Sequence, residues 1–595
     1  MPEHKTKTAK RHRLQKYAGL LRKDLAAAYS RDLHKWVFIA PVIGVLTGLV
    51  ITGITVIILN KMWPPLLGYF LRHHWAIVPG LVAGFVLTGL IMQHFTPDPN
   101  EHSTEEIIHS YHERDGAIVM RSFIPKLAAA IATVGSGGSA ALEGPSIYGG
   151  GAIGSWLWTK LKWFRLDTRD RRIMLISGAA AGMGAVFRAP LTGLVFALEM
   201  PYKDDLAHEA LVPSLIASVV AYATLISFVG PRTLFDFAGA ETFSREDLFW
   251  SAVLGLVCGL ITMAFSIIYR RTRLFAIRYP IPHWIKLAIG GLLTGLCGLA
   301  FVSLFKGSLI PLGPNYEAVD KILLGRHAAI ELALFGVFKL AATLFSLGSG
   351  GVSAMFVPLF LTGASIGAAF SQSIIHSTSV DLYAAVGMAA FIAGGYKTPL
   401  AAVVFVAEAT GGHSYIIPTL VGAAVAYAIS GEASVSADQR LHEGVTTQEL
   451  GYIPVREVMQ EQVIPIQASS SLQALADVVR THPHHSSFPV YDGDQLLGTI
   501  AASSLGMVDS RLWSETPVRD FADQQATRIP GGCDVREALR LLRKQTRRRI
   551  LLVTSDDDQL EGVVTRAEIL EAFENRLVHD TRPGNLQTRL NVTKS

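Results

Sequence analysis

The chain has 595 residues, of which 50% are hydrophobic and only 17% charged. A soluble globular protein carries about 25% charged residues, so a wholly soluble chain is excluded. The formal net charge of +5 calls for no nucleic-acid partner, because a basic arm and the loops account for it, and the three scattered cysteines, Cys258, Cys297 and Cys533, exclude a disulfide framework and a zinc knuckle.

In chain order, the arm comes first: Lys5 to Lys23, with KRHRLQK at its centre, is rich in Lys and Arg. The positive-inside rule places it in the cytoplasm. Residues 36–60 then carry no charge until Lys61, and residues 75–92, 249–268, 287–305 and 415–430 are similarly apolar. Each approaches the roughly 20 residues of a spanning helix. The first is longer than a signal h-region and lacks a small-residue cleavage site, so it is read as a retained span. Apolar segments end near Ile429, after which the chain turns polar and then alternates as a soluble α/β pattern. The expected division is an arm over 1–30, a membrane region over 31–432, a linker over 433–452, soluble units over 453–510 and 515–575, and a tail over 576–595. The lipid bilayer is the expected surrounding, in a cell inner membrane with both termini cytoplasmic.

The membrane region repeats, in halves of about 31–230 and 245–432. GSGGSAALEGPSIYGGGAIG (135–154) matches GSGGVSAMFVPLFLTGASIG (348–367) at nine of twenty positions. In that register Glu143, the sole charge of its stretch, stands opposite Phe356. FRAPLTGLVFALE (187–199) likewise matches YKTPLAAVVFVAE (396–408), so the two block offsets are 213 and 209 residues. Duplicated halves with Gly/Pro-interrupted segments at corresponding places point to a transporter-like fold. Helices broken inside a membrane are tolerated only where the freed backbone lines a buried or wet cavity. Each half-helix N-terminus then offers unpaired N–H groups and about half a positive charge, which is an anion site. An ionisable residue at such a place is functional by default. Glu199 and Glu408 fall at matched positions, where a carboxylate can also serve simply to close a helix end.

The soluble region repeats as well. FPVYDGDQLLGTIAASSL (488–505) and ILLVTSDDDQLEGVVTRAEIL (550–570) each read strand, Asp-containing turn, Gly, strand, helix. DQL recurs 64 residues apart.

LEGP at 142–145, GSGGVSAMFVP at 348–358 and EATGGHSYIIP at 408–418, in order and on a repeat, resemble the blocks of the CLC chloride channels and chloride/proton antiporters with a C-terminal pair of CBS domains. The resemblance covers about residues 35–575. It implies an all-α multi-span inverted-repeat bundle with broken helices, followed by an α/β CBS pair, and a homodimer in which each subunit has its own anion path. Chloride, exchanged for protons or conducted alone, is the implied cargo. Carried over residue by residue, Glu143 is the gate; backbone amides at Gly144, Met355 and Phe356 line the anion site; Tyr415 donates its hydroxyl.

The sequence departs from the family pattern in three places. Leu142 stands where the arginine beside the gate is usual. The central-serine block is missing, and DPNEHSTEE (98–106) puts His102 in its place, with Ser103 next to it. This leaves nitrate, bromide or fluoride open beside chloride. Met200 falls at the internal proton-transfer position, with Glu199 one residue early. Methionine cannot carry a proton, which leans toward uncoupled conduction, with Glu199 as the alternative proton path.

In the CBS pair the second copy reads GVVTRAE, so Thr565 and Glu568 are the candidate adenine-nucleotide residues, Glu replacing the usual Asp. The run RKQTRRR (543–549) reads as a solvated helix face or a phosphate contact. No metal and no resident cofactor is expected; His102, His109 and His112 fit no zinc spacing. An intramembrane metalloprotease needs HExxH, and HERDG, HEALV and HEGVT all lack the second histidine. A CBS-regulated cation transporter is another rival, and it needs several pore carboxylates where the GSGG blocks offer only Glu143; a purely structural or sensory membrane protein, the last, would not explain the broken, duplicated helices.

Overall fold

Two helix starts are fixed by reciprocal capping. Asp167 accepts from the Asp170 amide at 2.8 Å while Asp170 accepts from the Asp167 amide at 3.1 Å. Ser244 and Asp247 repeat the arrangement at the head of the longest helix. Such boxes satisfy two orphan amides at once. The Asp170 carboxylate also holds Lys35 at 2.6 Å, tying the first helix to this cap.

The computed structural model describes residues 31–569 apart from 162–163, 165, 232–233, 236–242, 306–307, 317, 320–321, 323–326, 377–378, 411–414, 437, 442–453, 462, 483–484, 486, 525, 545–549, 556–558 and 567. The basic arm, residues 411–414 of the tyrosine block, most of RKQTRRR and the tail lie outside the described residues. The chain divides into units Met1–His442 and Glu443–Ser595.

The first half of unit one runs α1 (Arg31–Thr55), α2 (Trp63–Arg72), α3 (Ile77–Phe95), α4 (Ser103–Glu113), α5 (Phe123–Gly135), α6 (Glu143–Lys160), α7 (Thr168–Val186), α8 (Pro190–Glu199) and α9 (Leu211–Val229). The second half runs α10 (Arg245–Arg278), α11 (His283–Leu304), α12 (Ala329–Gly348), α13 (Phe356–Phe370), α14 (Val380–Tyr396), α15 (Pro399–Thr410) and α16 (Ile416–Ile429). Among the described residues, seven helices are long and apolar enough to cross a membrane. Others, such as α8 with 10 residues and α15 with 12, are too short to span alone. These are the half-helices that the Gly/Pro-rich blocks predict.

The repeat is visible as reciprocal contacts. A Cβ on Gly150 of α6 would meet the Gly178 carbonyl of α7 at 2.0 Å, and one on Gly363 of α13 would meet the Gly387 carbonyl of α14 at 2.1 Å. Gly150 and Gly363 share one offset, Gly178 and Gly387 the other. Glycine is needed in both because backbone meets backbone. Ala141 and Ala354, equivalent by the first offset, form an antiparallel bridge, the Ala141 amide donating to the Ala354 carbonyl at 3.1 Å. Equivalent residues that pair antiparallel sit on a local two-fold axis, as inverted halves require.

Glu106 of α4 and Lys126 of α5 form a buried ion pair at 2.5 Å. Removing one partner from such a pair typically costs about 3–5 kcal/mol. The start of the expected linker packs on unit one: the Val435 amide donates to the Gly395 carbonyl at 2.9 Å, and Gln439 donates to the carbonyls of Met200, Tyr202 and Tyr396.

Unit two holds β1 (Ile466–Gln467), α17 (Leu472–Thr481), β2 (Ser487–Asp492), β3 (Gln495–Ala501), β4 (Arg528–Pro530), α18 (Val535–Lys544), β5 (Ile550–Thr554) and β6 (Leu560–Thr565). Its two sheets have the same topology. β1 lies parallel to β2, with Ile466 against Val490, and β4 lies parallel to β5, with Ile529 against Val553. β3 and β6 close each sheet antiparallel. Each copy buries its own core, around Leu472, Leu475 and Val490 in the first and Val535, Leu551 and Val564 in the second.

Candidate functional site

Two helices begin at the two-fold axis. α6 opens at Glu143 and α13 at Phe356, and both residues are wholly buried. The Glu143 carboxylate crosses the axis: Oε1 accepts from the Phe356 amide at 2.5 Å. Oε2 is buried with no hydrogen-bond partner among the described residues. A carboxylate is therefore seated on the N-terminus of α13, where the free amides and the helix dipole favour negative charge. It is held by one oxygen only.

The close approach is set by Gly144. A Cβ there would lie 2.7 Å from the Ala354 amide nitrogen. The Ser353 hydroxyl donates to the Ala141 carbonyl, stitching the two loops together. Around the Phe356 ring stand Phe187 at 5.0 Å, Phe196 at 5.5 Å, Tyr396 at 6.1 Å and Phe405 at 5.0 Å between centroids. Phe187 and Tyr396 are repeat equivalents, as are Phe196 and Phe405, so these four rings form two symmetric pairs, and Phe360 at 6.1 Å stands beside them.

The tyrosine at the site is Tyr396. Its hydroxyl accepts from the Met355 amide at 3.0 Å, the amide next to the one that holds Glu143. Its O–H proton remains available to a ligand. This corrects the expectation for Tyr415: that hydroxyl donates to Asp381 at 2.6 Å, at the far end of α14 from Tyr396. Residues 408–418 resemble the family block, but the Tyr415 hydroxyl is engaged by the Asp381 carboxylate in the first turn of α14. The usable signal lay in the second repeat block, where a tyrosine replaces Phe187.

His102 and Ser103 flank the same place. With Tyr396, Met355, Ser353 and Glu105 they line a cavity of about 20 Å³, enough for about one water. The Arg273 guanidinium, buried in α10, lies 3.1 Å from His102 Nε2 and donates to the Asn100 carbonyl at 2.7 Å. Arginine has no acceptor, so Nε2 accepts and the ring proton sits on Nδ1, 3.3 Å from the Ser103 hydroxyl. Ser103 itself has φ 60, a left-handed backbone that starts α4. Arg273 was not singled out by the sequence, since 171 residues separate it from His102.

Glu199 does not face the anion site. Its oxygens accept from the Leu400 and Ala401 amides at 3.0 and 2.8 Å, capping α15. Glu408 does the same for α8, accepting from Leu191 at 3.0 Å and Thr192 at 2.6 Å. Both Glu199 oxygens are thus engaged by backbone amides of the other half. In the second CBS copy Glu568 accepts from the Thr565 amide at 2.8 Å and from the Thr565 hydroxyl, so the two candidate nucleotide residues hold each other.

The comparisons with known proteins agree with this architecture. The family model "Voltage gated chloride channel" matches residues 84–431, and the CBS domain model matches residues 455–505 and 518–575. The chain is 28% identical over 342 residues to the H(+)/Cl(-) exchange transporter ClcA of Yersinia pestis bv. Antiqua (strain Angola), covering 56% of this chain and 70% of that one. In fold it resembles a CLC-type fluoride/proton antiporter, with a TM-score of 0.61 at 22% identity, covering 69% of this chain and 99% of that chain. A eukaryotic CLC transporter aligns with a TM-score of 0.55 at 18% identity, over 90% of this chain and 98% of that chain. With the family model spanning over half of its length, the chain belongs to the voltage-gated chloride channel family, as a multi-span membrane protein for anion transport that carries a CBS pair.

Proposed function

We propose that the chain exchanges chloride for protons, with Glu143 as the gate for which both ions compete. The observation that supports this is the Glu143 Oε1 bond to the Phe356 amide at 2.5 Å, with Oε2 left without a partner among the described residues. Chloride arriving at the α13 N-terminus takes the place of the carboxylate. A proton neutralises the displaced carboxylate and lets it move away from the path. The amides of Gly144 and Phe356, with the Tyr396 O–H, are the donors offered to the ion, while the Met355 amide orients that hydroxyl at 3.0 Å. A neutral O–H and backbone dipoles bind an anion without holding it as a buried lysine would. The relative named an H(+)/Cl(-) exchange transporter supports coupled movement of the two ions.

Leu191, Leu215, Leu400 and Leu420, on α8, α9, α15 and α16, are large exposed apolar side chains and supply a face for a second copy of the chain. In this reading the protein is a homodimer of an inner membrane, with both termini cytoplasmic. A nucleotide ribose at the CBS pair has to displace the Thr565 hydroxyl from Glu568.

The test is flux from chloride-loaded proteoliposomes with pH recorded outside. Wild-type protein should release chloride and take up protons in fixed proportion. Glu143→Gln should release chloride without proton movement and without pH response. A Glu143→Gln variant that keeps the wild-type pH response would remove Glu143 from the gate.

A further inference from the structure

Met200 leaves open how a proton reaches Glu143 from the other side of the membrane, and Glu199 is occupied as a helix cap. An open vestibule of about 410 Å³ lies between α4, α10 and the segment that leaves α16. Ser434, Val435 and Asp438, which follow α16, form one of its walls. The 20 Å³ cavity beside Met355 and Tyr396 lies at its inner end. Three residues line both spaces: Glu105, Tyr269 and Val435. Of these, only a carboxylate takes and releases a proton readily near neutral pH.

We infer that Glu105 is the proton-transfer carboxylate of this chain, passing protons from the vestibule to the small cavity and so to Glu143. This rests on the coupled-exchange reading above. The order of atoms supports it. Glu105 and Tyr396 both border the small cavity; the Tyr396 hydroxyl accepts from the Met355 amide; the next amide, Phe356, holds Glu143. A proton from vestibule water binds the Glu105 carboxylate, crosses the cavity by water and ends on the Glu143 carboxylate. Glu105 is left charged again, and no other bond changes.

The neighbours of Glu105 suit that task. From α10, Arg273 stands 3.5 Å from Glu105 Oε2 but is anchored by the Asn100 carbonyl, so it steadies the charged form without clamping it. Arg270, from the same helix, and Asp438, from the segment after α16, also line the vestibule, as does Asp98. On the near side of α4, Glu101 is already paired with His109 at 2.7 Å and Arg114 at 2.9 Å. Glu106, next in sequence, is locked to Lys126. Among the described acidic groups of this region, Glu105 alone borders both spaces.

The experiment uses the full chain in proteoliposomes, with chloride and proton electrodes read together. Glu105→Gln should lower the protons moved per chloride by at least about ten-fold. Glu105→Asp should keep that ratio within about two-fold while shifting the pH midpoint of proton uptake. Glu101→Gln and Asp438→Asn should leave the ratio at the wild-type value. An unchanged ratio in Glu105→Gln overturns the inference. So does an equal loss in Glu105→Asp, which would mark a packing role beside Arg273. If Glu105→Gln does not fold, Glu105→Asp with an unshifted pH midpoint overturns it. Wild-type chloride release with no proton movement overturns it together with the coupling, while absence of chloride release overturns the transport reading itself.

Discussion

Glu199 and Glu408 close each other's helices. Glu199, at the end of α8, caps α15; Glu408, in α15, caps α8. Each carboxylate satisfies orphan amides that have no partner in their own helix. Replacing either by Ala should cost about 1–3 kcal/mol, the cost of leaving buried donors unsatisfied. Thermal melting of the detergent-solubilised protein measures it, and Glu199→Gln should leave the proton-to-chloride ratio intact. Loss of coupling in Glu199→Gln would show a proton role that capping does not explain.

In the proposed exchange Glu143 sets the sign of the pH response: its charged form is drawn to the α13 N-terminus, and its neutral form is not. Chloride flux should therefore rise as pH falls. The measurement is initial chloride efflux between pH 4 and 8, and Glu143→Gln should sit at the low-pH level throughout.

Tyr396 and Tyr415 should separate cleanly. Tyr396→Phe removes a neutral donor from the ion, a loss of about 1 kcal/mol or roughly five-fold in affinity. Calorimetric chloride titration should show this. Tyr415→Phe breaks the bond to Asp381 and should lower the melting temperature with chloride affinity retained.

Gly144→Ala should be poorly tolerated. Its Cβ would sit 2.7 Å from the Ala354 nitrogen, so the two loops at the axis must separate. Folded yield, read by gel filtration, should fall, whereas the same change at Gly53, which meets nothing within 4 Å, should not lower it.

Cys533, in unit two, should be a slow thiol. Burial, with Asp534 and Glu537 beside it, pushes its thiol above the usual range. The thiolate is the nucleophile, so maleimide labelling should be slow at neutral pH and quicken as pH rises. Fast labelling at pH 7 in folded protein would contradict this.

Much of the site was legible because the sequence repeats. The offset of 213 residues puts Glu143 opposite Phe356, and the structure places the carboxylate of one on the amide of the other. The offset of 209 matched Glu199 to Glu408, and their capping is reciprocal. What was not legible depends on unrepeated contacts. Tyr415 sits in a motif-like block, yet its hydroxyl is taken by Asp381, 34 residues earlier. Arg273 meets Glu105 across 168 residues of chain, and nothing local marks either. Periodicity and composition report which face is apolar; they do not report which buried polar groups find one another.

The backbone bridge between Ala141 and Ala354 constrains how the molecule can work. It joins the two halves by main-chain hydrogen bonding beside Glu143, and the Ser353 hydroxyl adds a second tie. Were the halves to swing apart as rigid bodies, the bridge and the seat of Glu143 would be dismantled with every turnover. The proposed exchange therefore calls for small displacements within a standing frame, on the scale of one side chain. Temperature dependence should then resemble that of a rotamer change rather than of a domain motion, and cross-linking the two loops should leave turnover running.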